Sequence, residues 1–429
     1  MAKKSSSWLE ARWIAAIVLL AVYTLHSLDR YVFGVVIEPL RHEFHLSDAQ
    51  LGAIGGSAHA IGFCVCVLPV GWLMDRTNRV KFLSTMLAIW SAVSGLGAFA
   101  TGYWSLFTMR TVVGAAESST ASGTQSLVAS IFPVKERASA MGLVHSGLAL
   151  GTGLAFVIGG FVAQHFGWRA VFLVVGLPGI ILAAFMWLKF PEPSRSLENG
   201  DAGHAVSMWQ SFKFFLRTRS VFFNTIGLAI VAMNIASIWI WITPILVREQ
   251  GFSLATAGLI VGIAAGVLKF ASTALSGFLA DWVARGRVDR LWIVPSCALT
   301  LSVPVAFGIA FAPSPMIAAL LVFVLGLTLG THYSAPKAAI VTATPPRMRG
   351  SIAALQELVA NLGGAAIGPL ITGIISDKLG GTNSVSLALG ATVSLNLIAA
   401  ASFWFGIRNS SASTSAPDPG VVESVIAPR

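Results

Sequence analysis

An arginine and a glutamate seven residues apart, Arg110 and Glu117, stand in a stretch from Tyr103 to Ile131 that carries no other charge, with Gly114 between them. Seven residues are two helical turns, so both side chains project from one face. A charge in hydrocarbon costs roughly 2.5 to 3.5 kcal/mol on insertion scales, so a helix that keeps two has a use for them. A second charged pair, Asp29-Arg30, follows His26 by one turn in another apolar stretch. The chemistry open to this set is reversible protonation: a carboxylate withdrawn from water can take a proton, while an arginine stays charged and supplies a fixed partner. The same residues can equally form a structural ion pair that fastens two helices. Lys269 can attract an acidic head group or pair internally. His59 and His332 are candidate substrate contacts, and with His145 they can shuttle a proton or simply be hydrogen-bonded. Lys337 and Glu357 suit a salt bridge that closes a gate.

Positioning these residues takes elements that cross a membrane. The 429-residue chain is 55% hydrophobic and 11% charged, with mean hydropathy +0.78, whereas a water-soluble domain is about a quarter charged. Twelve apolar blocks lie between residues 13 and 407, each about 20 to 25 residues, the length that spans about 30 Å of hydrocarbon as a helix. The expected fold is an all-α membrane protein of twelve transmembrane helices. At 1.5 Å per residue Asp29 lies about 25 Å along the first helix from Arg12, and Arg110 and Glu117 about 9 and 20 Å from the outer end of the fourth. Their depths overlap if helices one and four are neighbours. Lys269 lies about 23 Å from the outer end of the eighth.

The net charge of +10 is not a nucleic-acid footprint. Of the 28 Lys and Arg, 20 fall in the termini and in every second loop, four in the other loops (Arg41, Arg169, Arg248, Lys378) and four inside helices (Arg30, Arg110, Lys269, Lys337). This positive-inside asymmetry predicts both termini in the cytoplasm, with the chain in a plasma or inner membrane. Lys3 and Lys4 before an apolar run resemble a signal peptide, but no small-residue cleavage site follows, so the first helix is expected to remain. Cys64, Cys66 and Cys297 are odd in number and imply neither disulfide nor metal site.

The second helix leads into Gly71-Trp72-Leu73-Met74-Asp75-Arg76-Thr77-Asn78-Arg79-Val80-Lys81. Its glycine allows close helix approach, Asp75 can face a neighbouring helix N-terminus, and the arginines can bond helix C-terminal carbonyls. These residues make Gly71, Asp75, Arg76 and Arg79 gating candidates. The chain also repeats itself. Leu40, Glu43, Ser47, Ala49 and Gly52 recur 206 residues on as Leu246, Glu249, Ser253, Ala255 and Gly258, and the same offset carries Gly71, Leu73 and Asp75 onto Gly277, Leu279 and Asp281. Arg137 and Gly167 find Arg349 and Gly380 at offsets of 212 and 213. Asp281 therefore joins the gating candidates, with Trp282 where Arg76 stands in the first copy. The reading is an N-terminal segment (1–12), a six-helix bundle (13–190), a linker (191–219), a second bundle (220–407) and a disordered tail (408–429). Within the linker, Trp209, Phe212, Phe214, Phe215 and Leu216 among Lys213, Arg217 and Arg219 suggest an amphipathic helix on the inner leaflet.

The loop sequence resembles the cytoplasmic signature of the major facilitator superfamily. Leu28-Asp29-Arg30, Leu46-Ser47-Asp48-Ala49-Gln50-Leu51-Gly52, Arg110 to Glu117, Phe166-Gly167-Trp168-Arg169 and Glu192-Pro193-Ser194-Arg195 resemble its Spinster-like branch. The resemblance implies two pseudo-symmetric six-helix bundles, alternating access, and Asp29, Arg110 and Glu117 in the coupling network. In eukaryotic relatives it implies a lysolipid or sphingoid-phosphate substrate. The chain departs from the pattern at Val80, at Ala116 and at Ala155-Phe156, where the superfamily's antiporters carry Gly-Pro. The expectation is a proton-coupled secondary transporter, monomeric and without cofactor, that moves a small organic acid or an amphipathic lipid-like anion. The alternatives are an organic anion:proton symporter of the anion:cation symporter branch, or a sensor that binds ligand without moving it. No Gly-x-Ser-x-Gly, His-Glu-x-x-His or Cys/His cluster supports an enzyme.

Overall fold

The computed structural model describes residues 2–193, 208–287, 290–332 and 334–412, and all regular structure among them is helical. Among the described residues ten helices are long and apolar enough to cross a membrane. They are α1 (Ala2–Phe44), α2 (Asp48–Met74), α3 (Arg79–Phe99), α5 (Val134–Phe166), α6 (Trp168–Lys189), α7 (Arg219–Glu249), α8 (Leu254–Ala284), α9 (Ile293–Ala310), α11 (Arg349–Leu379) and α12 (Ser384–Arg408). The remaining two spans are broken, and they occupy the same place in each half. The α4 span is Tyr103–Glu117 followed by Ser119–Ile131, and the α10 span is Pro315–Thr328 followed by Ser334–Ala343. Hydroxyls at both breaks bond carbonyls three residues back, competing with the helix ladder: Ser118 and Ser119 reach Ala115 and Ala116 at 2.7 and 2.8 Å, and Thr328 and Thr331 reach Leu325 and Thr328 at 2.8 and 3.0 Å.

The repeated residues do the same work twice. Ser47 and Ser253 cap α2 and α8, each accepting a backbone N–H three residues on. Glu43 accepts the Trp168 indole N–H at 2.7 Å at the start of α6, and Glu249 accepts the Val385 backbone N–H at 2.9 Å at the start of α12. Arg137 and Arg349 each turn Nε back to the carbonyl five residues before, Phe132 at 3.0 Å and Thr344 at 3.3 Å, tying α5 to α4 and α11 to α10. Gly167 and Gly380 make the tight turns into α6 and α12 at φ of 81° and 59°, a region open to glycine at little cost. The result is a fold of two six-helix halves.

The halves meet along α2 and α11 and along α5 and α8, where glycines remove the side chains that would hold backbones apart. Gly52 lies on the Pro369 carbonyl, Gly56 near Ala365, Gly153 on Gly266, and Gly160 on Leu254 and Gly258. Gly147 and Gly151, on another side of α5, lie against the α1 backbone at Leu20 and Thr24. Three π-helical turns, Ala53–Ala58, Ile263–Leu268 and Ala360–Ala365, fall in these stretches of α2, α8 and α11. Such turns mark places where a helix bends its ladder to present a chosen face.

The linker contains the amphipathic helix expected there, Met208–Arg217, with Trp209, Phe212 and Leu216 exposed and Phe215 buried against Val221, Ile340 and Ile352. The last helical segment, Asn396–Ala412, runs past residue 408, where the sequence reading starts the tail. Residues 194–207 and 413–429 lie outside the described residues.

Candidate functional site

Asp29 and Arg30 are adjacent on α1, about 100° apart around the helix, and they face different halves of the molecule. Asp29 turns into its own bundle. Its Oδ1 accepts the Ser94 hydroxyl from α3, and its Oδ2 accepts Arg110 Nη1 from α4 at 3.2 Å. Arg110 also donates to the α1 carbonyls of Asp29 and Arg30 at 3.2 and 3.1 Å, with its guanidinium carbon 5.7 Å from the Phe33 ring centroid. Helices one and four are thus the neighbours that the depth arithmetic requires.

Glu117, fully buried at the break in α4, has different partners. Its Oε2 lies 2.8 Å from His59 Nε2 on α2 and 3.1 Å from His26 Nδ1 on α1. Gly114 is why His59 can reach it: α4 rests there on the His59 carbonyl, with Gly62 resting on Thr111 one turn further along α2. Glu117 also interacts electrostatically with Asp29, so the two carboxyls belong to one cluster. Its Oε1 is buried without a hydrogen-bond partner. His59, expected as a substrate contact, is thereby joined to the buried carboxylate, although it also borders a small cavity lined by Arg30, Tyr31, Gly55, Gly56, Ala236, Ile240 and Ala365.

Arg30 crosses to the other half, with Nη2 3.4 Å from Asn361 Oδ1 on α11. Across the same region Lys269, at the end of the π-helical turn in α8, holds Nζ 5.8 Å from the Trp239 ring centroid on α7, and His332 in the α10 break lies within its electrostatic reach. Among the described residues neither Arg30 nor Lys269 has a carboxylate partner. Two half-buried cations, one from each half, therefore flank the inter-half space. The sequence reading includes Lys269 but leaves Arg30 out of the substrate set.

One end of the molecule is fastened between the halves by a network that the sequence reading does not single out. Arg248, at the end of α7, donates to Glu38 at 2.6 Å and to Asp48 at 2.8 Å. The Asp48 carboxylate also accepts the Ser376 hydroxyl at 2.7 Å. Asp377 of α11 caps α2, accepting the backbone N–H groups of Asp48 and Ala49 at 2.9 and 2.8 Å. The signal was present as an arginine kept at the end poor in basic residues. Arg41 and Arg169 at that end also have acidic partners, Asp48 at 3.6 Å and Glu43 at 2.6 Å, which sharpens the charge asymmetry between the ends.

The opposite, basic end shows no hydrogen bond between the halves among the described residues. Gly71 and Gly277, in matching positions of the two halves, and also Gly142 and Gly350, have nothing within 4 Å of the place a Cβ would take. Arg79 is buried inside its own half, with Nε 2.9 Å from Glu192, Nη1 2.7 Å from Ser130 and Nη2 2.8 Å from the Pro193 carbonyl. Asn78 caps α3. Arg76 lies over the Trp72 ring at 4.2 Å, and the Asp75 side chain lies outside the described residues. Asp281 is exposed. Lys337 and Glu357 form a pair at 3.6 Å, within the second half.

Comparison with known proteins agrees with this architecture. A bacterial homolog to the human lysosomal transporter Spinster has a solved structure that matches with a TM-score of 0.84 over 94% of this chain and 98% of that one, at 24% identity. An MFS-type efflux pump of Mycolicibacterium smegmatis is 28% identical over 91% of this chain and 92% of its own, and a hexuronate transporter of Bacillus subtilis 27% over 92% and 95%. The sphingosine-1-phosphate transporter SPNS2 of Xenopus tropicalis is 25% identical over 88% and 76%. A family model described as Major Facilitator Superfamily matches residues 19–366 and 227–428, and the chain belongs to that superfamily of membrane transporters.

Proposed function

We propose that this transporter moves an organic anion by alternating access, driven by protonation of the cluster around Asp29, Arg110 and Glu117. The observation that carries the reading is the pair Arg30 and Lys269, two cations without carboxylate partners among the described residues, set on opposite sides of the inter-half space. An anionic head group that bridges them would supply the missing counter-charge and pull the halves together. Asp29 is paired with Arg110 and Glu117 with two histidines, and the proton is assigned to Glu117, whose Oε1 is buried without a hydrogen-bond partner. Protonation removes the one unbalanced charge of the cluster and frees the histidines that hold it.

On this reading the protein is a monomer with both termini in the cytoplasm, the basic end faces inward, and the Arg248 network is the closed outer gate. Gly71, Asp75, Arg76, Arg79 and Asp281, with the Lys337–Glu357 pair, belong to the inner gate. The hexuronate transporter among the relatives favours a small carboxylate, and the sphingosine-1-phosphate transporter an amphiphile with an anionic head. Either class carries a negative charge that Arg30 and Lys269 would meet.

Proteoliposomes separate the cases. Uptake of glucuronate, of other small carboxylates and of a lysophospholipid is measured with and without an imposed pH gradient. Accumulation of one class only when the gradient is present is expected, and flux indifferent to the gradient for every compound would sink proton coupling.

A further inference from the structure

Glu117 is reached from two sides. His59 connects it to the region of Arg30, and His26 connects it toward the basic end. One turn below His26 on α1 stands Tyr23, whose ring meets the His26 ring edge-on at 6.2 Å between centroids. The Tyr23 hydroxyl lies 3.3 Å from His145 Nε2 on α5, and the two rings also pack edge-on at 5.0 Å. The glycine seat of α5 on α1, at Gly147 and Gly151, brings these helices close enough for that contact. His145 is exposed, and it senses Lys337 from α10 and Glu357 from α11, the groups at the basic-end mouth. Tyr23, His26 and Glu117 are buried.

We infer that His145, Tyr23 and His26 form a proton path from the basic-end mouth to Glu117. This rests on Glu117 being the proton acceptor of the proposed coupling. In the path His145 takes a proton from water. Tyr23 accepts it at the hydroxyl oxygen while passing its own hydroxyl proton to His26. His26 Nδ1 lies 3.1 Å from Glu117 Oε2 without the alignment of a hydrogen bond, and a small ring rotation brings it into line to release its proton there. One proton enters and one arrives, no bond other than O–H and N–H changes, and His26, left with its proton on Nε2, regains the Nδ1 tautomer by exchanging a proton at each ring nitrogen before the next transfer. The step between Tyr23 and His26 has no direct hydrogen bond and is bridged by hydroxyl rotation or one water, within the reach that proton transfer tolerates.

The groups facing Glu117 are His26 and Asp29 from α1, His59 from α2 and Arg110 from its own helix, with Ser94 of α3 behind Asp29. With neutral histidines, Asp29, Arg110 and Glu117 sum to one negative charge. A single proton makes the cluster neutral, so the path delivers one proton per cycle.

The test needs no identified substrate. The full-length protein in lipid nanodiscs is taken through a pH jump, and the carbonyl stretch of protonated Glu117 is followed by time-resolved infrared spectroscopy, with Glu117→Gln identifying the band. Tyr23→Phe and His145→Gln are each expected to slow its appearance by about a hundredfold, leaving the final amplitude unchanged. A band that rises at the unsubstituted rate in both variants overturns the path while leaving Glu117 as acceptor. Loss of amplitude in the variants overturns it too, because the residues would then support the site rather than feed it. No band assignable to Glu117 overturns the coupling proposal and the path together. His145→Gln, at an exposed position, keeps the test alive if Tyr23→Phe does not fold.

Discussion

Adjacent residues on one helix can serve different machines, and Asp29-Arg30 is the case here. Asp29 completes an ion pair inside the first half, while Arg30 reaches Asn361 of the second. Two predictions belong at this scale. Glu117→Gln removes the titratable oxygen while keeping the shape, so proton-driven accumulation in proteoliposomes is expected to vanish while substrate counterflow persists; unchanged accumulation removes Glu117 from the mechanism. Arg30→Gln and Lys269→Gln are each expected to weaken anion binding about ten- to hundredfold, since a hydrogen bond to a charged group contributes about 1.5 to 3 kcal/mol. Counterflow titrated with the transported anion checks this, and an unchanged half-saturation concentration in both would remove these cations from the site. Asp29, Arg110 and Glu117 are legible in the sequence because each is a charge in an apolar stretch. The partnership of His26 and His59 is not, because a histidine's neighbours depend on how helices cross.

The elements are shaped by what their small residues permit. Gly114 and Gly62 let α2 and α4 touch by their backbones, and that contact sets His59 on Glu117. A Cβ at Gly114 would overlap the His59 carbonyl, which is backbone and cannot swing aside. Gly114→Val is therefore expected to destabilise the first half by about 1 to 3 kcal/mol, the usual range for overpacking. It should also part His59 from Glu117. A lower melting temperature in detergent, together with weakened proton-driven accumulation, is the expected result; a wild-type melting profile would contradict the close crossing. The break in α4 is partly readable as the run Ser118-Ser119-Thr120, and that in α10 carries only the scattered Thr328 and Thr331, and the apolar blocks read as unbroken spans. Hydropathy counts side chains, and a hydroxyl that bonds its own backbone leaves that count unchanged.

Among the described residues, polar contacts between the halves gather at one end and in the middle, and the corresponding glycines Gly71 and Gly277 of the other end have open space beside them. Breaking the fastened end should move the balance of states. Arg248 is the cation between Glu38 and Asp48, both nearly buried. Losing one partner from such a site costs roughly 3 to 5 kcal/mol. Arg248→Ala is thus expected to populate the form open at that end, read as faster labelling of a cysteine placed beside Asp377; unchanged labelling would show that the network does not hold the state. At the basic end Gly277→Trp meets open space in this form and would obstruct closure. Spin-label distances across that mouth are expected to stay long when an outward-open population is sought, and shortening in the variant would refute the role of these glycines.

Sequence by itself determined the transmembrane segments, the doubling of the halves and the presence of charges that hydrocarbon does not tolerate without partners. Each of these follows from local quantities: hydropathy over one helix length, an offset between repeated residues, and the cost of a buried charge. The repeat was legible to the level of single contacts, since Ser47 and Ser253, and Arg137 and Arg349, make equivalent bonds and Glu43 and Glu249 each hold the start of a helix. Only the tertiary structure decided which partner each charge takes. Arg30 and Asp29 differ by one residue in the chain, yet their side chains take partners in different halves, and Arg248 looks like a loop residue until α1, α2 and α7 converge around it. Pairing depends on helix rotation and crossing, which are set by glycine seats and side-chain packing between segments distant in sequence.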